Sequence, residues 1–421
     1  MSPPLSISRR SALAFGLLGA PALRAAPPVT LTVAAFPLVD QIIKSALPRW
    51  RARHPDVEVQ VVSRQYADHH TAMTTALSTS VYLPDVMALE ASYVGRFSQG
   101  AGLEDLSQGP YRVDQLASRF VPYAFEQTLN RRKECVAVPT DIGPGTLLYR
   151  HDLLAKAGLT ADDLTPSWDA YVAAGRRLKA ATGAYLVGNA QSVKDIIIRS
   201  GLKPGEGLYF DKDSRVLVNS PRFARAFELA RQIRREKLDA KVSTWSNEWA
   251  EGFRRGTIAT DLTGAWMVGQ MATWVAPTTK GMWRAAQLPE NTYVGYGGTF
   301  YAIPRRATAT HKLLAWEFIQ LLTLDADLQL AAFKSQDAFP ALMATHQDPF
   351  FEQPVAFLGG QSARALWRDA AKRITATQVH KQTNFADEVV GTELDNVLEH
   401  GKDISRALAD AQRLLERRAH R

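Results

Sequence analysis

Apolar residues in the first part of the chain follow two different periods. Val29–Ala35, Val57–Val62 and Val86–Leu89 are short runs rich in valine, which predict strands. Between them, Gln41–His54 and Asp68–Ser80 carry apolar residues at helical spacing. This alternation of strand and helix predicts an α/β fold with a parallel sheet and helices on both of its faces.

Residues that follow the predicted strands are candidates for ligand contact. In parallel α/β sheets, ligands bind beyond the carboxyl ends of the strands. Phe36 and Glu90 directly follow the first and third predicted strands, and Tyr66 comes soon after the second. We therefore expect these three side chains at a cleft; the alternative is that each of them packs against a loop.

The stretch Glu134–Leu159 predicts a crossover between two halves of the molecule. Cys135–Pro139 and Thr146–Tyr149 are apolar runs that predict strands, and Thr140–Gly145 between them is a cluster of turn-forming residues. A crossover between two lobes would place Asp141 and the neighbouring glycines at the cleft. The alternative is an ordinary loop inside one α/β domain.

The later part of the chain repeats the alternation with longer helices. Helical spacing of apolar residues predicts a helix that begins at Trp168, and further helices over Arg222–Arg235 and Thr310–Leu322. Short apolar runs predict strands over Tyr185–Gly188 and Ile258–Leu262. These elements predict a second α/β unit.

Four tryptophans lie close together in the sequence. Trp245, Trp249 and Phe253 fall at helical spacing, and core packing is the favoured interpretation for Trp249 and Trp274. Trp266 directly follows a predicted strand and a glycine, where its side chain would face the cleft. An indole offers a flat apolar face and a polar edge, which suit the C–H face and the hydroxyl groups of a sugar.

A glycine-rich segment precedes the predicted strand Phe300–Ile303. Gly295, Gly297 and Gly298 have no side chain, so a ligand or another strand can approach the backbone closely. Their spacing does not match the dinucleotide fingerprint G-x-G-x-x-G, so no phosphate-binding role follows.

Composition is typical of a soluble globular protein with more than one core. The chain has 421 residues, of which 46% are hydrophobic and 22% are charged, and this length predicts two lobes or domains. The net charge of +8 arises from 50 basic and 42 acidic residues without a long basic block. Nucleic acid is therefore not an expected partner.

Residues 1–26 are interpreted as an export signal. Arg9 and Arg10 precede the apolar run Ala12–Ala20, and small residues near Ala25 suit cleavage. The paired arginines resemble a twin-arginine signal, although the first residue of the apolar run is not the usual Phe, so the Sec route stays open. The run is too short to span a membrane. A periplasmic protein is expected.

The single cysteine and the single histidine pair predict no chemistry of their own. Cys135 has no partner for an internal disulfide, and we interpret it as a buried core residue; the alternative is a nucleophile. His69 and His70 are adjacent on a predicted helix, so their rings do not face one point and a metal site is not expected. No cofactor is expected.

Seven segments together resemble the extracellular solute-binding proteins of ABC sugar importers. They occur in the order seen in that family, and the resemblance covers roughly residues 28 to 415. The segments are VTLTVAAF, HPDVEVQVV, LPDVMALE, VPTDIGPGTLLYRHDLLAKAGL, SWDAYVAAGRRL, GTIATDLTGAWM and GGTFYAIPRRATATHKLLAWEFIQLL.

The resemblance implies a fold like that of type II periplasmic binding proteins, in which two α/β lobes are joined by crossover hinge strands and enclose a ligand cleft. Lobe 1 would comprise residues 27–139 plus about 296–338, and lobe 2 residues 140–295 plus about 339–421. The second hinge would lie near Gly295–Thr299. A ligand that bridges the lobes would favour their closure.

The resemblance also implies which residues touch the ligand. Matching motifs place Glu90, Asp141, Trp266, Gly297 and Gly298 at the sugar. Matching regions, without matching motifs, add Phe36, Tyr66, Trp245 and Phe385.

The implied function is capture of a sugar or oligosaccharide in the periplasm and its delivery to membrane permease subunits, by a monomer that catalyses no reaction and meets the membrane only through the permease. One alternative is the same clamp with a polyol or a glycerol phosphate-type solute. Another is a periplasmic carbohydrate hydrolase, in which Glu90 and Asp141 would be the two carboxylates that such enzymes need.

Overall fold

The structure is a computed structural model that describes residues 29–98, 100, 102–203, 205–377 and 379–419. The predicted signal peptide, residues 1–26, lies outside the described residues. No helix in the described part of the chain is long and apolar enough to cross a membrane.

Strands β1 to β8 form one strongly curved mixed sheet in the order β2-β1-β3-β7-β4-β5, and β6 and β8 also pair with β4. Strands β1, β2 and β3 are parallel, as the sequence predicts, and the other pairs are antiparallel. The strand bounds are β1 Val29–Ala35, β2 Val57–Ser63, β3 Val86–Glu90, β4 Val138–Arg150, β5 Thr260–Gly264, β6 Trp283–Ala286, β7 Gly295–Ala302 and β8 Phe339–Pro340.

Helices connect many of the strands and form most of the described chain after residue 362. Their bounds are α1 Val39–Arg53, α2 Tyr66–Thr79, α3 Ala91–Ser98, α4 Pro122–Glu126, α5 His151–Lys156, α6 Ala161–Leu164, α7 Trp168–Thr182, α8 Gln191–Ile197, α9 Pro221–Arg235, α10 Asn247–Arg255, α11 Met267–Gln270, α12 Ala309–Leu324, α13 Ala326–Gln336, α14 Ala363–Ala371, α15 Thr383–His400 and α16 Ile404–Glu416.

Strand β4 corrects the prediction of a turn over Thr140–Gly145. The chain continues through this segment as one 13-residue strand. Its pairing with β7 shifts register between Pro139 and Asp141 and again between Ile142 and Pro144. Such irregularities remove ladder hydrogen bonds, so the strand tolerates the prolines and glycines that predicted a turn.

Strands β4 and β7 run from one part of the sheet into the other. The first half of β4 pairs with β7, and its second half, Gly145–Tyr149, pairs with β5. One apolar cluster joins Val33 in β1 to Trp249 and Trp283 in the later part of the chain, so the apolar core passes through both predicted lobes. The predicted lobe limits therefore stay a prediction.

Two further sequence predictions need correction. Tyr185–Gly188 makes only isolated parallel bridges, from Tyr185 to Ile258 and from Val187 to Asp239, and is not a regular strand. Trp245 lies before helix α10 and has a left-handed φ of 70°, so the helical spacing with Trp249 is coincidental. Trp245 is therefore a loop residue, and the helical pattern does not determine the direction of its side chain.

Candidate ligand-binding site

A row of polar residues crosses three strands at the edge where β3 ends. Glu90 on β3 pairs with Thr299 on β7, and Thr299 pairs in turn with Asp141 on β4. Directly paired residues lie on the same face of a sheet. The sheet register thus brings together two residues that are more than fifty positions apart in sequence.

The Glu90 carboxylate is held through one of its two oxygens. Oε2 accepts hydrogen bonds from the Tyr66 hydroxyl at 3.0 Å and from the Ser92 backbone N–H at 2.9 Å, and also from the Ser92 hydroxyl. Within the described residues, Oε1 accepts no hydrogen bond. The carboxylate is therefore fixed in orientation while one oxygen stays available to a ligand hydroxyl.

His70 holds the backbone of Glu90 in place. The Glu90 backbone N–H donates to Nε2 at 3.1 Å, so the proton lies on Nδ1, which donates to the Tyr66 carbonyl at 2.8 Å. The ring stacks on Tyr93 with centroids 3.9 Å apart, and burial lowers the pKa of His70 to about 4. His70 is thus neutral and joins α2, β3 and α3. Sequence reasoning considered it only as a metal ligand.

Phe36 completes the aromatic surroundings of Glu90. Its ring meets Tyr66 edge to face at 5.7 Å between centroids and also contacts His69 and His70. The three residues predicted from strand ends, Phe36, Tyr66 and Glu90, therefore lie in one contiguous group. This grouping follows from the parallel arrangement of β1, β2 and β3.

Asp141 is a carboxylate in a poorly solvated position. Burial raises its pKa to about 6; hydrogen bonds from the side chain and backbone of Thr299 oppose the shift, and the nearby charge of Glu90 adds to it. Desolvation disfavours the ionised form, which explains the direction of the shift. The buried hydroxyls of Tyr123 and Tyr301 belong to the same environment, and the Asp141 charge contributes to the raised pKa of both tyrosines.

Trp266 is seated in a notch of glycines on three strands. A Cβ on Gly264 would lie 2.3 Å from the indole nitrogen, and one on Gly297 would lie 3.0 Å from it. A Cβ on Gly143 would lie 3.1 Å from the indole Cδ1. The indole N–H donates to the Tyr296 carbonyl at 2.8 Å, so its polar edge is occupied by backbone, contrary to the role expected from sequence.

The two predicted glycines therefore have a structural role in the contacts described. Gly297 has a φ of +87° and Gly298 a φ of +127°, which L side chains rarely adopt. A Cβ on Gly298 would lie 3.0 Å from the Asp141 carbonyl oxygen. They allow β7 to approach β4 and Trp266 closely, rather than leaving an open gap for a ligand.

The remaining tryptophans do not all pack as predicted. Trp249 is 2% exposed and belongs to the core, as expected. Trp274 is 48% exposed, so the prediction of core packing is wrong for it. It lies nearly parallel to Trp245, which is itself nearly parallel to Trp266. The π-helical turn Met271–Val275 after α11 turns Trp274 outward, which the sequence did not indicate.

Within the described part of the chain, Phe385 makes no aromatic ring contact with the other predicted site residues. It packs against the core beneath α15, and Arg418 lies over its ring at 4.2 Å. Nearby on the same helix, Asp387 is within 3.5 Å of the buried Lys194 ammonium. Arg199 lies over the ring of Tyr296 at 4.9 Å, the residue whose backbone carbonyl accepts the Trp266 hydrogen bond. Sequence reasoning missed these charged residues because they follow no predicted strand and belong to no recognised motif.

The cysteine and the histidine pair show ordinary structural contacts. Cys135 is fully buried, and burial raises its pKa to about 12, so the thiol stays protonated and is a poor nucleophile. The His69 and His70 rings are nearly perpendicular, at 88°. Among the residues that the structure describes, no group of three His, Cys, Asp or Glu side chains could hold a metal ion.

The chain belongs to the family of bacterial extracellular solute-binding proteins, whose family model matches residues 37–328. Among solved structures, it superposes on an extracellular solute-binding protein of family 1 with a TM-score of 0.81 and 24% identity, over 93% of this chain and all of the other. The fold is therefore that of the two-lobed binding proteins.

Two relatives have names that specify a sugar. A lactose-binding protein of Rhizobium radiobacter is 25% identical over 393 residues, which cover 86% of this chain and 88% of that protein. An arabinooligosaccharide-binding protein of Bacillus subtilis is 23% identical over 292 residues, which cover 67% of this chain and 66% of that protein. Both are named as binding proteins and not as enzymes.

Proposed function

We propose that this protein is the substrate-binding component of an ABC importer, which captures a sugar in the periplasm and delivers it to a membrane permease. One observation carries the proposal. The polar row Glu90–Thr299–Asp141 ends on strand β4 at Asp141. The Trp266 indole packs against Gly143 of the same strand, two residues further on. Carboxylates for hydroxyl groups beside an aromatic face are the combination that a sugar needs.

The relatives suggest which ligands to test first. Lactose is the leading candidate because the lactose-binding relative aligns with 86% of the chain. Arabino-oligosaccharides come second, since that relative aligns with less of it. Polyols and glycerol phosphate remain in the panel because the same clamp could hold another polar solute.

The first experiment is a thermal-shift screen of the chain from residue 27 onward against these compounds, followed by calorimetry and by chromatography of the recovered sugar. We expect a saturable rise in melting temperature with lactose or an arabino-oligosaccharide, a dissociation constant of about 1 μM, and recovery of unchanged sugar. Glu90→Gln should weaken this binding because it removes the charged acceptor. Tyr82→Ala should leave binding unchanged, since Tyr82 is a surface side chain that is 93% exposed.

Each other result points to a specific alternative. Hydrolysis of the sugar would support the hydrolase, with Glu90 and Asp141 as its acid and its base or nucleophile. Binding of polyols or glycerol phosphate without sugar binding would keep the clamp and change the cargo. Equal binding by wild type and Glu90→Gln would remove the polar row from the site.

Lobe closure is the second part of the proposal. In the structure, Arg131 from the first predicted lobe donates a hydrogen bond to Ser214 from the second. Helix α3 also contacts helix α15, which belongs to the second predicted lobe.

Small-angle scattering tests closure and should show a smaller radius of gyration with saturating ligand. Stimulation of ATP hydrolysis by the reconstituted permease would test delivery. An unchanged radius would contradict closure.

A further inference from the structure

Arg199 lies beside the strand that carries the glycines of the candidate site. Its guanidinium is over the ring of Tyr296 at 4.9 Å. The Tyr296 carbonyl accepts the hydrogen bond from the Trp266 indole, and the next residue along β7 is Gly297. Because Arg199 follows helix α8, it brings a cation from the second predicted lobe to this strand.

The edge of this guanidinium formed by Nε and Nη2 makes no hydrogen bond to any residue that the structure describes. Nη1 donates to the Asp195 backbone carbonyl at 2.7 Å, which fixes the orientation of the group. In Arg150 the same edge binds a carboxylate, since Nε and Nη2 donate to Asp152 at 2.8 and 2.7 Å. Arg199 is only partly buried, so a ligand can reach its open edge.

Charge decides what kind of ligand group fits this edge. The buried Lys194 ammonium is ion-paired with Asp195 and lies 3.5 Å from Asp387. The charges of the same two aspartates act on Arg199, so two cations and two anions balance locally. The polar row adds two further carboxylates to the site. An acidic ligand would therefore leave excess negative charge in a poorly solvated place, whereas the hydroxyl groups of a neutral sugar would not.

We propose that Arg199 is a further specificity-determining residue, which donates from Nε and Nη2 to the oxygens of two adjacent hydroxyl groups of a neutral sugar. This inference rests on the proposed function. Sugar hydroxyls both donate and accept hydrogen bonds, and the ionised carboxylates Glu90 and Asp141 can only accept them. Arg199 thus supplies the donors that the polar row lacks. Its planar fork selects pairs of oxygens at one fixed separation.

The test removes one ligand hydroxyl at a time. Calorimetry measures the dissociation constants of lactose, of arabinobiose and of the monodeoxy derivatives of each. In the wild-type protein, loss of either of two adjacent hydroxyls should weaken binding about tenfold, as expected for one hydrogen bond to a charged group. Arg199→Met removes the donors and keeps an unbranched side chain, so these two losses should disappear while the losses at other hydroxyls remain.

Two further variants separate recognition from support of the fold. Arg199→Lys keeps the charge without the planar fork, so the loss should persist for at most one of the two hydroxyls. Arg222→Met is the matched control, because Arg222 donates to the backbone carbonyls of Ile198 and Leu208 at 2.7 and 3.1 Å. It should lower the melting temperature and keep every wild-type hydroxyl preference. Circular dichroism of each free variant establishes that it is folded.

The outcomes separate this inference from the function on which it rests. Wild-type losses that occur at no pair of adjacent hydroxyls would overturn the inference while leaving sugar binding intact. Losses that survive unchanged in both Arg199→Met and Arg199→Lys would also overturn it, because other groups would then bind those hydroxyls. Tighter binding of lactobionate, an acidic derivative of lactose, than of lactose would overturn the charge argument and assign the open edge to an acid group. Failure of both parent sugars to bind would overturn the inference together with the proposed sugar-binding function.

Discussion

The two sides of the candidate site are built on different physical principles. On the side of β3, polar groups bind one another: Tyr66 and Ser92 hold one oxygen of Glu90, and His70 holds its backbone. On the side of β5, the indole of Trp266 is seated in glycine notches and its N–H is already bonded to backbone. The β3 side offers carboxylate oxygens that accept hydrogen bonds in fixed directions, whereas the β5 side offers an apolar ring surface.

This difference indicates how the two sides divide recognition. A carboxylate oxygen that a bound ligand covers without donating to it costs free energy, so Glu90 and Asp141 discriminate by whether the ligand supplies a hydroxyl in the right place. An apolar ring face discriminates little between sugars but contributes in proportion to the area that it covers. We therefore expect specificity from the β3 side and most of the affinity from Trp266.

The largest expected effect is that of Trp266→Ala. It removes the ring face, and we expect affinity to fall by about 100-fold, or roughly 3 kcal/mol. The protein should remain folded, because the indole is only partly buried. Calorimetry with the ligand identified in the screen measures the change.

Trp266→Phe is the control for this prediction. It keeps an aromatic face but loses the hydrogen bond to the Tyr296 carbonyl, and it should retain more affinity than the alanine variant. Unchanged affinity in Trp266→Ala would mean that the indole does not contact the ligand. Most of the affinity would then come from the β3 side.

Gly264→Ala changes the packing around the Trp266 indole and leaves the tryptophan itself unaltered. The new Cβ would lie 2.3 Å from the indole nitrogen and 2.6 Å from the Tyr296 carbonyl oxygen, so the ring must move. We expect an affinity loss of about 30-fold, roughly 2 kcal/mol, and a shift in tryptophan fluorescence of the free protein. Gly391→Ala is the control, since Gly391 lies in helix α15 and a Cβ there would meet only the Gln191 side-chain oxygen, at 4.0 Å. Wild-type affinity in Gly264→Ala would show that the exact seat of the ring is unimportant.

The sequence predicts the β3 side better than the indole side. Strand β1 has the bounds Val29–Ala35 that the valine-rich run predicts, and the binding of ligands at the carboxyl ends of parallel strands explains why Phe36, Tyr66 and Glu90 lie together. This prediction succeeds because apolar periodicity is a local signal and parallel strands expose their ends at one edge.

The indole side could not be predicted to the same depth. The prolines and glycines of β4 favour a turn locally, but pairing with β7 keeps the segment extended. Likewise, Trp245 and Trp249 have helical spacing, and only the start of α10 at Asn247 shows that they belong to different elements. Long-range pairing and cap positions decide these features, and local periodicity contains no information about either.

A change of pH tests the contribution of Asp141. Its pKa is raised to about 6, so the carboxyl takes up a proton as the pH falls below 6. A ligand hydroxyl that donates to the carboxylate must then compete with that proton, so affinity should fall by up to about fivefold between pH 6 and pH 5. The fall should be absent in Asp141→Asn.

Other titrating groups need to be separated from this effect. Burial also raises the pKa of Asp337 to about 6, whereas His70 has a pKa of about 4 and stays neutral over this range. Asp337→Asn should therefore keep the pH dependence that Asp141→Asn removes. The opposite result would assign the dependence to Asp337 beside helix α11 and would make the β3 side insensitive to pH.

Tyr66→Phe is the substitution with the smallest expected effect on affinity. It removes one of the donors to Oε2 of Glu90 and keeps the ring that meets Phe36. Because Ser92 still holds the same oxygen, affinity should fall only about fivefold, or roughly 1 kcal/mol, which is the usual contribution of one exposed hydrogen bond. The fall should be larger for a ligand that keeps the hydroxyl bound by Glu90 than for its deoxy analogue. An equal fall for both would mean that the Tyr66 hydroxyl does not act through the ligand hydroxyl that Glu90 binds.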